Sequence, residues 1–283
     1  MHLLAKRFEG EKDILFIEDR GPKILQFKNL KKYENVLTHC FTTRLGGVSK
    51  DECFSLNLGF NRNDKPENVF KNYKLVADCM NIDIESFVFS NQIHDNKIKY
   101  IDYSDRGKGL TRESDIKGYD ALITDQKGIT LVTFYADCVP VFFYDPEKEI
   151  IALSHSGWRG TVKEIAAEVI NEMVTKFNCK VEEIIVSIGP SIGKCCFEVG
   201  EEVYEEFIKT LPWSIQHCCT GAENGKWNID LKAVIKNTLI NCGVVSKNIS
   251  VTGICTKCNK DVFFSHRGDN GRTGSMIALM QMK

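Results

Sequence analysis

Cys138 and His155 are the residues whose types and spacing point first to chemistry. They stand in ITLVTFYADCVPVFFYDPEKEIIALSHSGWRG, residues 129–160, where two apolar, β-branched and aromatic runs flank the turn-forming Asp145-Pro146-Glu147-Lys148. That is the pattern of a buried hairpin. With the loop centred between Pro146 and Glu147, Cys138 comes opposite His155. Directly opposed residues have Cβ atoms ~5 Å apart, close enough for a thiolate and an imidazole to share one metal ion. A slip of one residue would turn the two to opposite faces, so the register decides the matter. The same pair has a second use, a nucleophilic thiol with its general base, as in a cysteine hydrolase.

Asp137 adjoins the thiol and suits either a general acid/base or a carboxylate that orients its neighbours; an ordinary strand-end residue is an equal reading. His94 lies at the join of two strand-like runs in FVFSNQIHDNKIKYID. By itself a histidine there is more often a hydrogen-bonded structural residue than a ligand. Arg44-Leu45-Gly46-Gly47 follows a strand, and backbone amides with one guanidinium suit a phosphate or carboxylate, although most such turns are only turns. After His155 the chain turns through Gly157-Trp158-Arg159-Gly160 into a helix. Its free amides and Arg159 could attract an anion; an exposed cation near a turn reads equally well.

These side chains need elements to hold them. Residues 11–43 alternate short strands with polar turns: DILFIED, KILQFK, NVLTHCFTTR. Asp64-Lys65-Pro66-Glu67 opens a helix in capping-box fashion, with Val69, Tyr73, Val76, Ala77 and Met80 inward. Residues 104–119 read as a flexible surface loop suited to a lid. Thr161 and Glu164 form a capping box for one helix whose apolar stripe is Val162, Ile165, Ala166, Val169, Ile170, Met173 and Phe177. Residues 184–189 form a buried strand, and Val199, Val203, Phe207 and Leu211 face inward on the next helix. Residues 212–228 are irregular, Asp230 caps a further helix that ends near Gly243, and a strand, SVTGIC, and a short apolar tail follow. Connections are short and no internal repeat is evident, so a single domain over 1–283 is expected.

Composition narrows the class. The 283 residues are 43% hydrophobic and 27% charged with a net charge of -1, ordinary for a globular protein and without the basic footprint of a nucleic-acid binder. No run reaches membrane-spanning length and no secretory leader is visible, so a cytoplasmic protein with no membrane partner is expected. Twelve cysteines then stay reduced. Most read as small buried hydrophobes. Cys195-Cys196 and Cys218-Cys219 are vicinal pairs unsuited to ordinary disulfides. Cys255-Thr256-Lys257-Cys258 has the spacing of half a zinc site or of a redox pair, but no second CxxC completes it.

In order along nearly the whole chain stand TTRLGGVS, LNLG, NQIH, YADCVPVFFYD, HSGWRG, GPSIGKCCFEVG, IDL, CT and FFSHRGDNGRTG. This set resembles a family once labelled multicopper polyphenol oxidase, or laccase-like, and now regarded as purine nucleoside phosphorylases with adenosine deaminase activity. The resemblance implies an α/β (α+β) fold, four layers α/β/β/α with mixed β-sheets, similar to the cysteine-hydrolase-like fold. It carries a zinc site onto His94, Cys138 and His155, leaving one position open as in catalytic zinc. It also implies that Arg44 holds phosphate, and it sets Asn57, Gln92 and Arg159 in matched motifs. Departures fall at Asp95 (usually Gly), Ser156 (Ala), His266 (Tyr), Ser275 (Arg in GRTGRM) and the run Phe60-Asn61-Arg62-Asn63-Asp64 (HVGD). None removes a metal ligand; substrate preference and rate are what they touch.

The implied substrates are purine nucleosides and phosphate. Phosphorolysis would give free base and ribose 1-phosphate from adenosine, inosine, guanosine or methylthioadenosine, and hydrolysis at C6 would turn adenosine into inosine. Three other readings compete. A copper polyphenol oxidase would need many imidazoles, commonly as HxH pairs; the chain has six His and no such pair, although Cu2+ can occupy a His/His/Cys site in vitro. A cysteine hydrolase using Cys138 and His155 would ignore chelators. A non-catalytic metal-stabilised protein would close the site with a fourth side chain. Oligomeric state is not encoded in any of these features.

Overall fold

The computed structural model describes residues 3–19, 21–222 and 224–283. Two six-stranded mixed sheets lie face to face. One runs Ile14–Ile17, Ile24–Phe27, Leu37–Thr42, Met276–Met282, Thr130–Tyr135, Phe87–Phe89; the other runs Ile249–Val251, Ile185–Ile188, Val139–Asp145, Ile150–Ser156, Ala121–Thr124, Ile98–Tyr100. Only the outer pairs Phe87–Phe89/Thr130–Tyr135, Ile185–Ile188/Ile249–Val251 and Ile98–Tyr100/Ala121–Thr124 are parallel. A small third sheet joins Glu198–Val199, Lys226–Ile229 and Cys219–Ala222.

Strand periodicity sorts the side chains into layers. In Val139–Asp145, Phe142 and Tyr144 face the space between the sheets, while Val141 and Phe143 face outward. Ile151 and Leu153 point inward from Ile150–Ser156, and Ile150 and Ala152 outward. Phe27, Phe41, Leu131 and Met280 meet them from the first sheet. The helix Pro66–Met80 covers that sheet's other face through Val69, Tyr73 and Val76. Ile165–Phe177 and Leu231–Asn241 cover the second. The four-layer α/β/β/α arrangement with mixed sheets is the expected one.

Several expectations are corrected in detail. The helix stripe after His155 is right, but the helix breaks: Trp158–Val162 ends, Glu164 takes a left-handed φ of 55°, and Ile165–Phe177 follows. Thr161 Oγ1 donates to the Gly157 carbonyl, so no capping box forms with Glu164. Likewise Lys65, with no side-chain cap bond, precedes Pro66–Met80 where an Asp64 box was expected. Residues 212–228 hold a helix, Pro212–Cys218, and a hairpin. The apolar tail is Met276–Met282, an interior strand of its sheet. Residues 104–119 are pinned along the Phe87–Phe89 edge through Gly107 N–H to Phe87 O, Phe89 N–H to Lys108 O and Asn91 N–H to Ile116 O. They form a wall.

Candidate metal centre and cavity

Two crossings from one sheet to the other build the site. The first apolar run of the central stretch is not one strand. Thr130–Tyr135 belongs to the first sheet and Val139–Asp145 to the second, with Ala136-Asp137-Cys138 as the crossing. Phe87–Phe89 and Ile98–Tyr100 are likewise in different sheets, and the crossing between them carries His94. His155 lies near the end of Ile150–Ser156.

The hairpin register is two residues from the expected one: Pro140, not Cys138, is opposite His155. The turn is Pro146-Glu147-Lys148-Glu149, because Asp145 stays in the strand opposite Ile150 and its carboxylate accepts the Glu147 and Lys148 N–H groups. An even slip keeps every side chain on its face. Cys138 shares parity with Phe142, and His155 with Leu153, so both still project between the sheets.

The ligand atoms of His94, Cys138 and His155 all lie within 4.8 Å of one another, and the two imidazole centroids are 4.8 Å apart at 78°. Gly157 is the residue that permits it. A Cβ there would sit 2.9 Å from His94 Cδ2 and 3.0 Å from Cys138 Sγ.

Asp120 holds the cluster together, and sequence reading passed over it. This fully buried carboxylate accepts the N–H groups of Ile93, His94 and Asp95 at 2.9–3.0 Å. His94 is thereby fixed in a left-handed conformation, φ 64°. Asp120 Oδ1 is also 2.8 Å from His155 Nδ1. The bond places a proton on Nδ1 and turns the Nε2 lone pair to the cluster, the role a carboxylate commonly plays behind a metal-bound histidine. Burial would raise the Asp120 carboxyl, but the bonds from His155 and the backbone hold it below its usual range. Burial raises the Cys138 thiol too, yet the His155 charge and hydrogen bonds from both imidazoles bring it down to about 6. His155 is pushed down by burial and up more strongly by the thiolate and Asp120, to about 9. The donor set suits a borderline-soft divalent metal.

The cluster lies in the wall of a cavity of about 700 Å³. Phe60, Phe89, Phe134 and Trp158 supply aromatic surface, and Arg62, Lys117, His266 and Arg267 supply cationic or titratable groups. Of the expected site residues, Gln92 and Asp137 line this cavity with the three ligands; Arg44, Asn57 and Arg159 do not. Gln92 is spent on the Phe134 backbone, accepting its N–H and donating to its carbonyl. Asp137 is held at φ 92° by bonds from Thr256 Oγ1 (2.6 Å) and Arg267 N–H (2.7 Å). Arg44 donates to the Phe54 and Lys260 carbonyls and lies over the Phe264 ring. Asn57 is fully buried and bridges Gly59, Asp64 and Ser275. Arg159 is exposed and stacks on Trp158, at the start of a helix of only five residues.

Arg62 stands instead in the cavity, its Nε donating to Ser275 Oγ at 2.8 Å. Ser275 occupies the position of the arginine expected in GRTGRM. The guanidinium that meets Ser275 belongs to residue 62, in the run that stands where HVGD was expected. Both departures were visible in the sequence; their contact was not.

Residues 38–283 match the family model described as multi-copper polyphenol oxidoreductase laccase. The chain is 38% identical over 244 residues to a Bacillus subtilis protein named purine nucleoside phosphorylase YlmD, covering 86% of this chain and 87% of that one. To the human purine nucleoside phosphorylase LACC1 it is 30% identical over 256 residues, 88% of this chain and 56% of that one. The crystal structure of YlmD from Geobacillus stearothermophilus superposes with a TM-score of 0.89 at 33% identity, covering 96% and 99%. With the sequence match running through both sheet crossings and the fold matching end to end, the chain belongs to the laccase-like family whose curated relatives are named purine nucleoside phosphorylases.

Proposed function

We propose that the protein is a zinc-dependent purine nucleoside phosphorylase that also deaminates adenosine. The carrying observation is the convergence of His94, Cys138 and His155 on a cavity walled by aromatic rings and cations. Relatives named purine nucleoside phosphorylases support the same reading. A bound zinc ion supplies a Lewis acid able to lower the pKa of water towards ~7.

The chain's own residues do the rest. Phe89, Phe134 and Trp158 offer faces on which a purine stacks. Arg62, positioned by Ser275, and Lys117 hold phosphate beside the ribose. In phosphorolysis a phosphate oxygen bonds to C1′, the C1′–N9 bond breaks, and its electron pair leaves with the purine, which takes a proton. In deamination water adds at C6 and ammonia leaves. Asp120 keeps the His155 proton on Nδ1 throughout. Asp137 is the carboxylate nearest the thiolate in sequence and serves as acid/base or as an anchor of the crossing. Adenosine, inosine, guanosine and methylthioadenosine are the substrates to offer.

Incubation of zinc-loaded protein with each nucleoside, with and without phosphate, tests this. Free base and ribose 1-phosphate mark phosphorolysis, and inosine from adenosine without phosphate marks deamination. No turnover of any nucleoside would sink the assignment. Losing the charged hydrogen bonds of Arg62 in Arg62→Gln should raise the KM for phosphate ~10-fold or more, leaving deamination unchanged.

One observation favours a second reading. Asp120, His155 and Cys138 also form a carboxylate–imidazole–thiolate relay suited to a cysteine hydrolase. His94 argues for the metal, because a dyad has no use for a second imidazole aimed at its sulfur. Iodoacetamide inactivation through Cys138 with indifference to chelators would favour the hydrolase. A copper oxidase finds less support: beside the three-ligand cluster, the other group among the described residues able to hold a metal is all cysteine.

A further inference from the structure

The sequence shows Cys255-Thr256-Lys257-Cys258 as half a site and Cys195-Cys196 as an unrelated vicinal pair. The fold brings them together. The loop after Ile185–Ile188 and the loop after Ile249–Val251 run side by side, bridged in parallel at Ser191 and Cys255. Thr256 N–H donates to the Ser191 carbonyl at 2.9 Å and Gly193 N–H to Cys255 Sγ at 3.2 Å. All four sulfur atoms lie within 4.8 Å of one another. Cys195 and Cys196 approach Cys258 at 3.6 Å and 3.5 Å.

Those distances distinguish two chemistries. A disulfide needs ~2.05 Å between sulfurs with its own torsional geometry. Tetrahedral zinc with bonds of ~2.3 Å sets thiolates ~3.8 Å apart. The observed spacing is close to the second. Charge is provided for as well. The buried Lys232 ammonium donates to the Thr252 and Ile254 carbonyls directly before Cys255. Four thiols cannot all ionise together without a cation among them, and a divalent metal removes that conflict.

We propose that Cys195, Cys196, Cys255 and Cys258 bind a second metal ion, a structural zinc with a complete set of four thiolates. It clips the two loops together behind the cavity. The same loops reach the catalytic cluster: Ile192 N–H donates to the Asp137 carbonyl at 2.8 Å, Thr256 Oγ1 donates to its carboxylate, and Ile192 and Phe197 line the cavity. This site does not depend on which reaction the cavity performs. With four protein ligands it exposes no open position and acts by holding Asp137, the neighbour of Cys138, in place.

Metal analysis of the full-length protein, purified under reducing conditions with zinc, tests it. Wild type carries two equivalents of zinc, Cys258→Ser loses one, and His155→Ala loses the other. Cobalt-loaded His155→Ala protein then shows the charge-transfer and d–d bands of a tetrathiolate centre. Should either variant fail to fold, wild type alone decides: Cys195 and Cys258 are exposed, and their alkylation by iodoacetamide is lost in zinc-loaded protein and restored by stripping the metal. Zinc content unchanged in Cys258→Ser, alkylation unchanged by zinc, or a Cys195–Cys258 or Cys196–Cys258 disulfide in anaerobically handled protein overturns the proposal.

Discussion

Asp120 decides more of the site than any ligand does. One buried carboxylate both shapes the loop that carries His94 and fixes the tautomer of His155. Asp120→Asn keeps the volume but must satisfy the same N–H groups with one oxygen, and it cannot remain an anion behind the imidazole. Zinc affinity should fall ~10–100-fold, the usual cost of losing such a partner, as read by competition with a chromogenic chelator. Proton traffic gives a second test at this scale. In metal-free protein the thiol is held down to about 6 and the His155 imidazole up to about 9. Between those values Cys138 arrives already ionised and His155 still carries the proton that the metal must displace. Zinc binding midway between them should therefore release that proton, and affinity should rise with pH until His155 is neutral. Calorimetric titration in buffers of different ionisation enthalpy counts it.

The sheet crossings explain why these residues meet. Gly157 has an ordinary extended conformation, φ -69° and ψ 174°, so alanine strains no backbone there. The atoms nearest its methyl group belong to His94 and Cys138. Gly157→Ala should thus weaken zinc binding while leaving the urea midpoint of the metal-free protein nearly unchanged. What the sequence disclosed follows the same division. Local periodicity revealed the Pro66–Met80 helix, its buried face and the stripe of Ile165–Phe177. It also put Cys138 and His155 on one side, because a two-residue error of register preserves parity. It could not reveal that ITLVTFY and VPVFFYD belong to different sheets, since apolar runs read alike whichever partner strands they find. Asp120 was hidden for a related reason, as its donors come from residues 93–95 and 155. Cys195 and Cys258 are 63 residues apart, and no spacing rule joins them.

At the scale of the whole molecule, His39 in the space between the sheets gives stability a pH signature of its own. His39 is 1% exposed, accepts the Phe27 N–H on Nε2 and lies against the Phe27 and Phe142 rings. Burial, aided by the charge of Lys31, lowers it from 6.5 to about 3. The unfolded chain therefore takes up a proton below 6.5 that the folded protein refuses until about 3. Stability from this group is full above 6.5 and drains as pH falls through that window, by up to about 1.4 kcal/mol per pH unit. His39→Gln keeps an acceptor for Phe27 and removes the titration, so urea melts of the variant should lose that part of the acid limb. The cluster at the sheet crossings is far less separable, because every ligand depends on both sheets being docked.

Met276–Met282 lies between Leu37–Thr42 and Thr130–Tyr135, and it bonds to both along its length. A ribosome must therefore make residue 282 before either neighbour gains its second partner strand. Until then the nascent chain holds two open edges at the heart of one sheet, and with them a reason to be shielded by chaperones. Translation, and not only thermodynamics, sets when His94, Cys138 and His155 can first be held together.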